Sequence, residues 1–274
     1  MDVPKNRIVA DFMNVMKDIP TGAPLLFHTD IASMGLIEEF KNRASMAQNY
    51  EDLMDEVSGG RPYLIPTFNY DYCQTGVFDL AKDFGKVGAL SKYYSKKYPH
   101  LRTRTPVFNF VIKNNGSVFS LAPVVKCYGY GSTFDTLRKC GGYVIIIGNL
   151  SNTFAHHAEE TLPVGYRYSK RFTGKVLWEG KAEDTELEFR VRPRGGAVIY
   201  SEMDITDAIG EGIMRKSNCG PTTMIWYKAS EYFDFIQRKL KQDELYMLDE
   251  SSKKAIQTLW SRHGKPLSLQ KYES

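Results

Sequence analysis

Apolar residues at Ile8, Phe12, Val15 and Ile19 recur at spacings of three and four, so residues 6–19 are predicted to form an amphipathic helix that Pro20 ends. Leu25-Leu26-Phe27 is instead a short unbroken apolar run, the pattern of a buried strand, and His28-Thr29-Asp30 follow as it runs out. The same reading predicts helices over 31–43 and 50–57, a strand over 63–68 and a helix over 88–98. Residues 107–112 and 117–125 are predicted to be extended, and 132–140 helical. Tyr143–Gly148 is the clearest buried strand, and a helix over 153–161 is predicted to start from Asn152 as its cap. This alternation predicts an α/β fold, with a mixed, mostly parallel central sheet flanked by helices on both faces.

After about residue 161 the pattern changes. Residues 175–178, 185–191 and 197–200 alternate polar with apolar side chains, as strands with one solvated face do, and Gly195-Gly196 is predicted to turn between them. Helices are predicted over 203–209, 229–241 and 251–261. The expected organisation is an α/β core over 1–161, a smaller β-rich subdomain over 162–205, and a helical return to the core with a tail over 206–274.

Composition narrows the class. The chain has 274 residues, 42% hydrophobic and 25% charged, an ordinary globular balance. Its longest strongly apolar run is strand-sized, against the ~20 residues a membrane helix needs, and the first residues lack the apolar core of a signal peptide. A soluble cytoplasmic protein that binds no membrane is expected. The net charge of +4 is too small and too dispersed for a nucleic-acid binder, which carries a dense basic stripe. Cys73, Cys127, Cys140 and Cys219 show neither C-x-x-C pairing nor zinc-ligand spacing to the histidines, so free thiols and no metal are expected.

In open α/β sheets ligands bind beyond the carboxyl ends of the strands. His28-Thr29-Asp30, Asn69–Thr75 and Asn149–His156 are polar clusters at such ends. On a helix, His156 shares a face with Glu159 or Glu160, and a carboxylate beside an imidazole suits a general base near neutral pH. The competing reading is a solvated surface ion pair; His157 points elsewhere and reads as structural. Tyr128-Gly129-Tyr130-Gly131-Ser132-Thr133 places glycines before a Ser/Thr helix start, which admits a phosphate or carbonyl to backbone N–H groups, or is simply a turn and a cap. Arg102 and Arg104 stand in a strand-entry loop where their forks match phosphate geometry, while Lys92, Lys96 and Lys97 read as the solvated face of a helix. No G-x-S-x-G occurs, which sets aside a serine hydrolase of that type.

Taken in order, several segments resemble the aminoglycoside 3-N-acetyltransferase-like family of acyl-CoA-dependent N-acyltransferases. They are Leu26–Gly35, Pro66–Tyr70 with Thr75–Asp79, Val87–Ser91, Arg102–Pro106, Gly129–Phe134, Asn152–Glu159, and Tyr166-Arg167-Tyr168 with Lys170 and Phe172. The resemblance spans roughly residues 5–240. Three positions depart from it: Asp30 where many relatives have Ser, Thr105 where a His often precedes the proline, and His157 in place of an apolar residue.

The resemblance implies that residues 1–161 bind an acyl-CoA donor across the strand ends. His28, Thr29, Gly88, Arg102, Thr103 and Ser132 would then contact pantetheine and phosphates, with Arg104 adding counter-charge. It implies direct transfer to an amine, with His156 as base and Glu159 as its partner. Asp30, Asp71, Tyr72, Tyr166 and Arg167 are the acceptor-side candidates, the tyrosines as stacking surfaces or as plain core. The basic tracts 166–171 and 190–194 favour a nucleotide-linked amino-deoxy sugar as acceptor, receiving an acetyl or hydroxybutyryl group. The alternatives are an aminoglycoside acceptor, an acyl-CoA thioesterase and a non-catalytic CoA binder. The half-apolar strands after residue 174 offer a surface for a homodimer.

Overall fold

The computed structural model describes residues 2–268 except 41, 43–44, 115, 149–151, 163 and 194–198. Its strands are β1 Asp2–Val3, β2 Leu25–Thr29, β3 Leu36–Ile37, β4 Tyr63–Pro66, β5 Val77–Asp79, β6 Phe110–Lys113, β7 Tyr143–Ile147, β8 Tyr168–Trp178, β9 Lys181–Val191, β10 Arg215–Cys219 and β11 Thr222–Lys228. Its helices are α1 Lys5–Met16, α2 Met46–Ser58, α3 Tyr72–Thr75, α4 Ala89–Lys97, α5 Thr133–Lys139, α6 Ala155–Thr161, α7 Met203–Gly210, α8 Ala229–Gln242 and α9 Glu250–His263.

The central sheet runs β10-β11-β7-β2-β4-β6. It is mixed: β7, β2 and β4 are mutually parallel, and the pairs toward either edge are antiparallel. Along these strands successive side chains enter two different cores. Leu26, Leu64, Val144 and Ile146 pack with α5, α6 and α8, while Leu25, Phe27, Tyr63, Ile65, Ile145 and Ile147 pack with α1, α2 and α4. Burial on both faces is why these strands read as unbroken apolar runs rather than alternating ones. A smaller sheet, β5-β8-β9, stands apart from the central one, its long β8–β9 hairpin closed by Glu179-Gly180.

Several expectations are corrected. No helix spans 31–43: Asp30 Oδ1 accepts the Ala32 N–H, Gly35 takes φ +79°, and Leu36–Ile37 pairs in parallel with Asp2–Val3. The apolar spacing that imitated a helix serves a turn and a short strand. Residues 117–125 form no strand; their backbone is spent one bond at a time, as in Arg104 N–H to Leu121 O and Glu188 N–H to Val125 O. The β8–β9 turn lies at 179–180, while the expected Gly195-Gly196 turn falls outside the described residues. Residues 215–228 form a hairpin on the central sheet whose polar outer strand carried no apolar signal.

The topology decides where chemistry can occur. Because β2 and β7 are parallel, with Thr29 beside Ile147, their carboxyl ends open at the same edge. The chain leaving β7 turns at Gly148, φ +78°, where an added Cβ would meet Ser33 Oγ at 1.9 Å. That close approach packs the 30–33 turn against the start of the segment leading to α6.

Candidate active site

On α6, His156 and Glu159 stand one turn apart and their side chains meet, Nδ1 to Oε2, at 2.6 Å. This is no solvated surface pair, because Glu159 is 1% exposed. Its carboxylate is ringed by donors: the Tyr166 hydroxyl on Oε1, the Tyr200 hydroxyl 3.2 Å from both oxygens, and the Arg167 guanidinium at 3.4 Å. Burial alone would raise its pKa, but Arg167 and these hydrogen bonds hold it at about 2, so it is ionised. Arg167 is itself fixed by the Tyr200 hydroxyl and by donation to the Arg190 carbonyl at 2.8 Å.

The His156 pKa is lowered, by burial first and then by Arg167, against the opposing pull of Glu159. The ring is therefore neutral at pH 7, with its Nδ1 proton donated to the carboxylate and its Nε2 lone pair left for a proton. Tyr128 and Tyr200 flank the ring at centroid distances of 5.7 and 5.0 Å. An imidazole so held is oriented as a general base.

Two recesses meet beside it. A cleft of about 580 Å³ at the strand ends is lined by His28, Thr29, Asp30, Pro66, Phe68, Gly88 and Thr153. A smaller pocket of about 240 Å³ is lined by Asn152, Thr153, His156, Tyr200, Glu202 and Asp204. Thr153 borders both, and its hydroxyl lies 3.1 Å from His28 Nε2. Burial pushes the His28 pKa down to about 4, so this second imidazole is also neutral. A groove lined by Lys82, Lys86 and Lys92 adjoins the cleft at Gly88 and Ala89, at the start of α4.

Measured against expectation, His28, Thr29, Asp30 and Gly88 line the cleft. Arg102, Thr103 and Ser132 do not, and nor does Arg104, whose guanidinium lies on the Trp178 indole instead of supplying counter-charge to the cleft. Arg102 is 1% exposed and donates to Asn109 Oδ1, Asp83 O and Thr67 O at 2.7–2.9 Å, knotting the loops behind the cleft. Thr103 is buried and its hydroxyl accepts the Phe110 N–H. Ser132 caps α5, accepting from Asp135 N and donating to Gly129 O. The glycine turn before it is closed as well: Gly129 N–H goes to His157 Nδ1 and Gly131 N–H to Asp135 Oδ2. His157, buried and with its pKa lowered to about 4, is structural as expected.

On the acceptor side, Tyr166 and Arg167 sit behind Glu159 rather than in the pocket. Tyr72 is buried with its hydroxyl on Thr185 O, and Asp71 pairs with Lys86 at 2.6 Å outside both recesses. Asn152 is not a side-chain cap; its Oδ1 accepts from the Tyr227 hydroxyl, and its buried Nδ2 has no partner. Sequence reasoning missed Thr153, Tyr200, Glu202 and Asp204. Thr153 stood within a segment already singled out, whereas Tyr200 is a lone aromatic with no motif around it.

Among the described residues no group of three or more His, Cys, Asp or Glu could hold a metal, and no helix is long and apolar enough to cross a membrane. The family described as aminoglycoside 3-N-acetyltransferase matches over residues 65–241. No curated protein sequence matches the chain. Among solved structures, a variant of aminoglycoside acetyltransferase AAC(3)-IVa in complex with a gentamicin is similar at TM-score 0.70 and 15% identity, over 94% of this chain and 98% of that one. A binary structure of AAC-IIIb with CoASH is similar at TM-score 0.67 and 17% identity, over 88% and 97%. The YokD protein from Bacillus subtilis is similar at TM-score 0.66 and 16% identity, over 89% and 95%.

Proposed function

The chain belongs to the aminoglycoside 3-N-acetyltransferase family, and from that premise we propose that it moves an acetyl group from acetyl-CoA to an amine of a cationic amino sugar, with His156 as general base. The observation that carries this reading is the pair of a part-buried His156 and a buried Glu159 at the meeting point of two recesses, one for each substrate.

In this reading acetyl-CoA lies in the cleft of His28, Thr29 and Gly88. The pantetheine amides have Thr29 and backbone groups for partners. The phosphates find their counter-charge at Lys92 and the N–H groups opening α4, beside the Lys86–Asp71 pair, not at Arg102. AAC-IIIb has been captured with CoASH, which supports a CoA donor on this fold.

The acceptor enters the pocket of Asn152, Tyr200, Glu202 and Asp204. A protonated amine of pKa about 8 must first lose a proton to solvent. Its lone pair then attacks the thioester carbonyl carbon while Nε2 of His156 takes the second proton. Collapse breaks the C–S bond, and the imidazolium returns its proton to the departing thiolate. The Thr153 hydroxyl, on the border of both recesses, is a donor for the developing oxyanion. No acyl-enzyme is needed, and burial pushes the Cys73 thiol up to about 11, which leaves it a poor nucleophile.

Acceptor charge decides between the two amine classes. A nucleotide-linked sugar would need the basic tracts for its pyrophosphate, but Arg167 and Arg190 are spent on internal groups and Arg171 pairs with Glu186 and Glu188. Around the junction stand Asp30 and Glu202 instead, carboxylates that suit a polycation, while Asp204 is buried on the Tyr232 hydroxyl behind them. The AAC(3)-IVa variant was captured with a gentamicin, which supports the same class. The test is acceptor-dependent thiol release from acetyl-CoA with gentamicin, with a dTDP-linked amino sugar, and with neither. Turnover with gentamicin alone supports the reading. Turnover only with the nucleotide sugar overturns the acceptor class, and equal release without any acceptor makes the protein a thioesterase.

A further inference from the structure

A third recess, of about 690 Å³, shares no lining residue with the strand-end cleft or the His156 pocket. It lies against the small sheet rather than at the strand ends of the large one. Its walls come from the end of β5, from residues 99–104, and from the tip of the β8–β9 hairpin, with Leu80, Leu121 and Leu177 supplying apolar surface.

Local structure explains what the recess contains. The two-residue turn at Glu179 and Gly180 takes φ +47° and +74°, which sets Trp178 directly opposite Lys181 across the hairpin. The Lys181 ammonium consequently lies 4.4 Å from the indole centroid. The Arg104 backbone is tied to Leu121 O, and its guanidinium stacks on the same indole at 4.0 Å. Among the described residues the Arg104 side chain has no hydrogen-bond or ion-pair partner. Its Nε is buried without one, and so is the indole Nε1 of Trp178. The nearby carboxylate of Asp79 is turned to Lys82 and to the Ala81 N–H. Two buried donors and the cations of Arg104 and Lys181 thus share a largely apolar recess, lined also by Glu179 and the internally bonded Arg102, where an unmatched donor is costly and a charge-assisted bond is strong.

We propose that this recess binds an organic anion, a carboxylate or phosphate carried on an apolar body. Arg104 and the Trp178 N–H hold the headgroup, Lys181 adds charge at the mouth, and the leucines cover the body. The site is separate from acetyl transfer, so it stands whether or not that reading holds.

Titration calorimetry of the full chain with 1-naphthyl phosphate, 1-naphthoate and the uncharged 1-naphthalenemethanol tests it. One saturable site is expected for at least one anion, which assigns the headgroup, with the alcohol at least tenfold weaker. Arg104→Gln should weaken the anion at least tenfold and leave the alcohol within twofold, with acetyl transfer unchanged. Lys181→Gln, at an exposed hairpin tip, should weaken the anion about threefold without touching the fold. Saturating CoA should leave anion affinity unaltered. Binding of the alcohol as tight as the anions, an unchanged affinity in both variants, no binding at millimolar probe, or displacement by CoA would each overturn the proposal.

Discussion

Replacing Glu159 by Gln keeps the side chain's shape and removes its charge. In the native protein that carboxylate holds the Nδ1 proton of His156 at 2.6 Å and counters the charge of Arg167, which is 8% exposed. The amide has an NH₂ group that can donate to Nδ1, which would leave the proton on Nε2 and block the base. Loss of the negative charge also lowers the His156 pKa further, since Glu159 is the group that raises it. General-base assistance contributes about 10²–10⁴-fold, so kcat should fall by that factor, about 3–5 kcal/mol in the barrier. Stability should suffer separately, because stripping one partner from a buried ion pair costs about 3–5 kcal/mol. For a chain of this size that is a fall of roughly 6–20 °C in Tm. The double variant Glu159→Gln/Arg167→Met removes both buried charges, so it should recover much of the Tm and none of the kcat. The assays are steady-state thiol release and a thermal melt on each protein. A single variant with kcat within threefold of wild type would refute the reasoning about the dyad. A double variant that regained activity along with stability would show that Glu159 acts only as a structural support.

Three further outcomes follow from the same geometry. Arg102→Met should lower Tm by several degrees while leaving the KM for acetyl-CoA within twofold, whereas Lys92→Gln should leave Tm alone and raise that KM in a salt-dependent way; the opposite pattern would return Arg102 to the donor site. Cys73→Ser should leave kcat within twofold, with no acylated protein seen by mass spectrometry after quenching. His28 and His157 both titrate near 4 when folded against 6.5 otherwise, so the stability they contribute is present above pH 6.5 and drains away as pH falls toward 4. Each loses up to about 1.4 kcal/mol per pH unit across that window. His157→Gln should therefore flatten the fall of Tm between pH 6.5 and 4, and an unchanged slope would count against the depressed value.

Much of the central sheet was legible because Leu25–Phe27, Tyr63–Ile65 and Tyr143–Ile147 are buried on both faces and leave unbroken apolar runs. The outer hairpin was not, since β10 is Arg-Lys-Ser-Asn-Cys and looks like loop until its partner is seen. The 31–43 segment misled in the other direction: Ile31, Met34, Ile37 and Phe40 keep a helical spacing that Asp30 and Gly35 override. At the site, His156 and Glu159 could be paired from sequence because helical spacing alone puts them on one face. Tyr166, Arg167 and Arg102 were legible as residues of consequence but not in their roles. Spacing cannot say whether a side chain faces a cleft or the back of another residue, and all three face inward. Tyr200 reaches Glu159 only through tertiary folding from 41 residues away in the chain.

The central claim is that a neutral, part-buried His156 takes the amine proton, and the pH dependence of kcat/KM with gentamicin tests it most directly. In the wild type, log kcat/KM should climb with a slope of two below the lowered His156 pKa, then with a slope of one until the amine ionises near about 8. In His156→Gln the steeper limb should vanish and the plateau should drop by about 10²–10⁴. A steep limb that survives the substitution, or a plateau that does not fall, would place the base elsewhere.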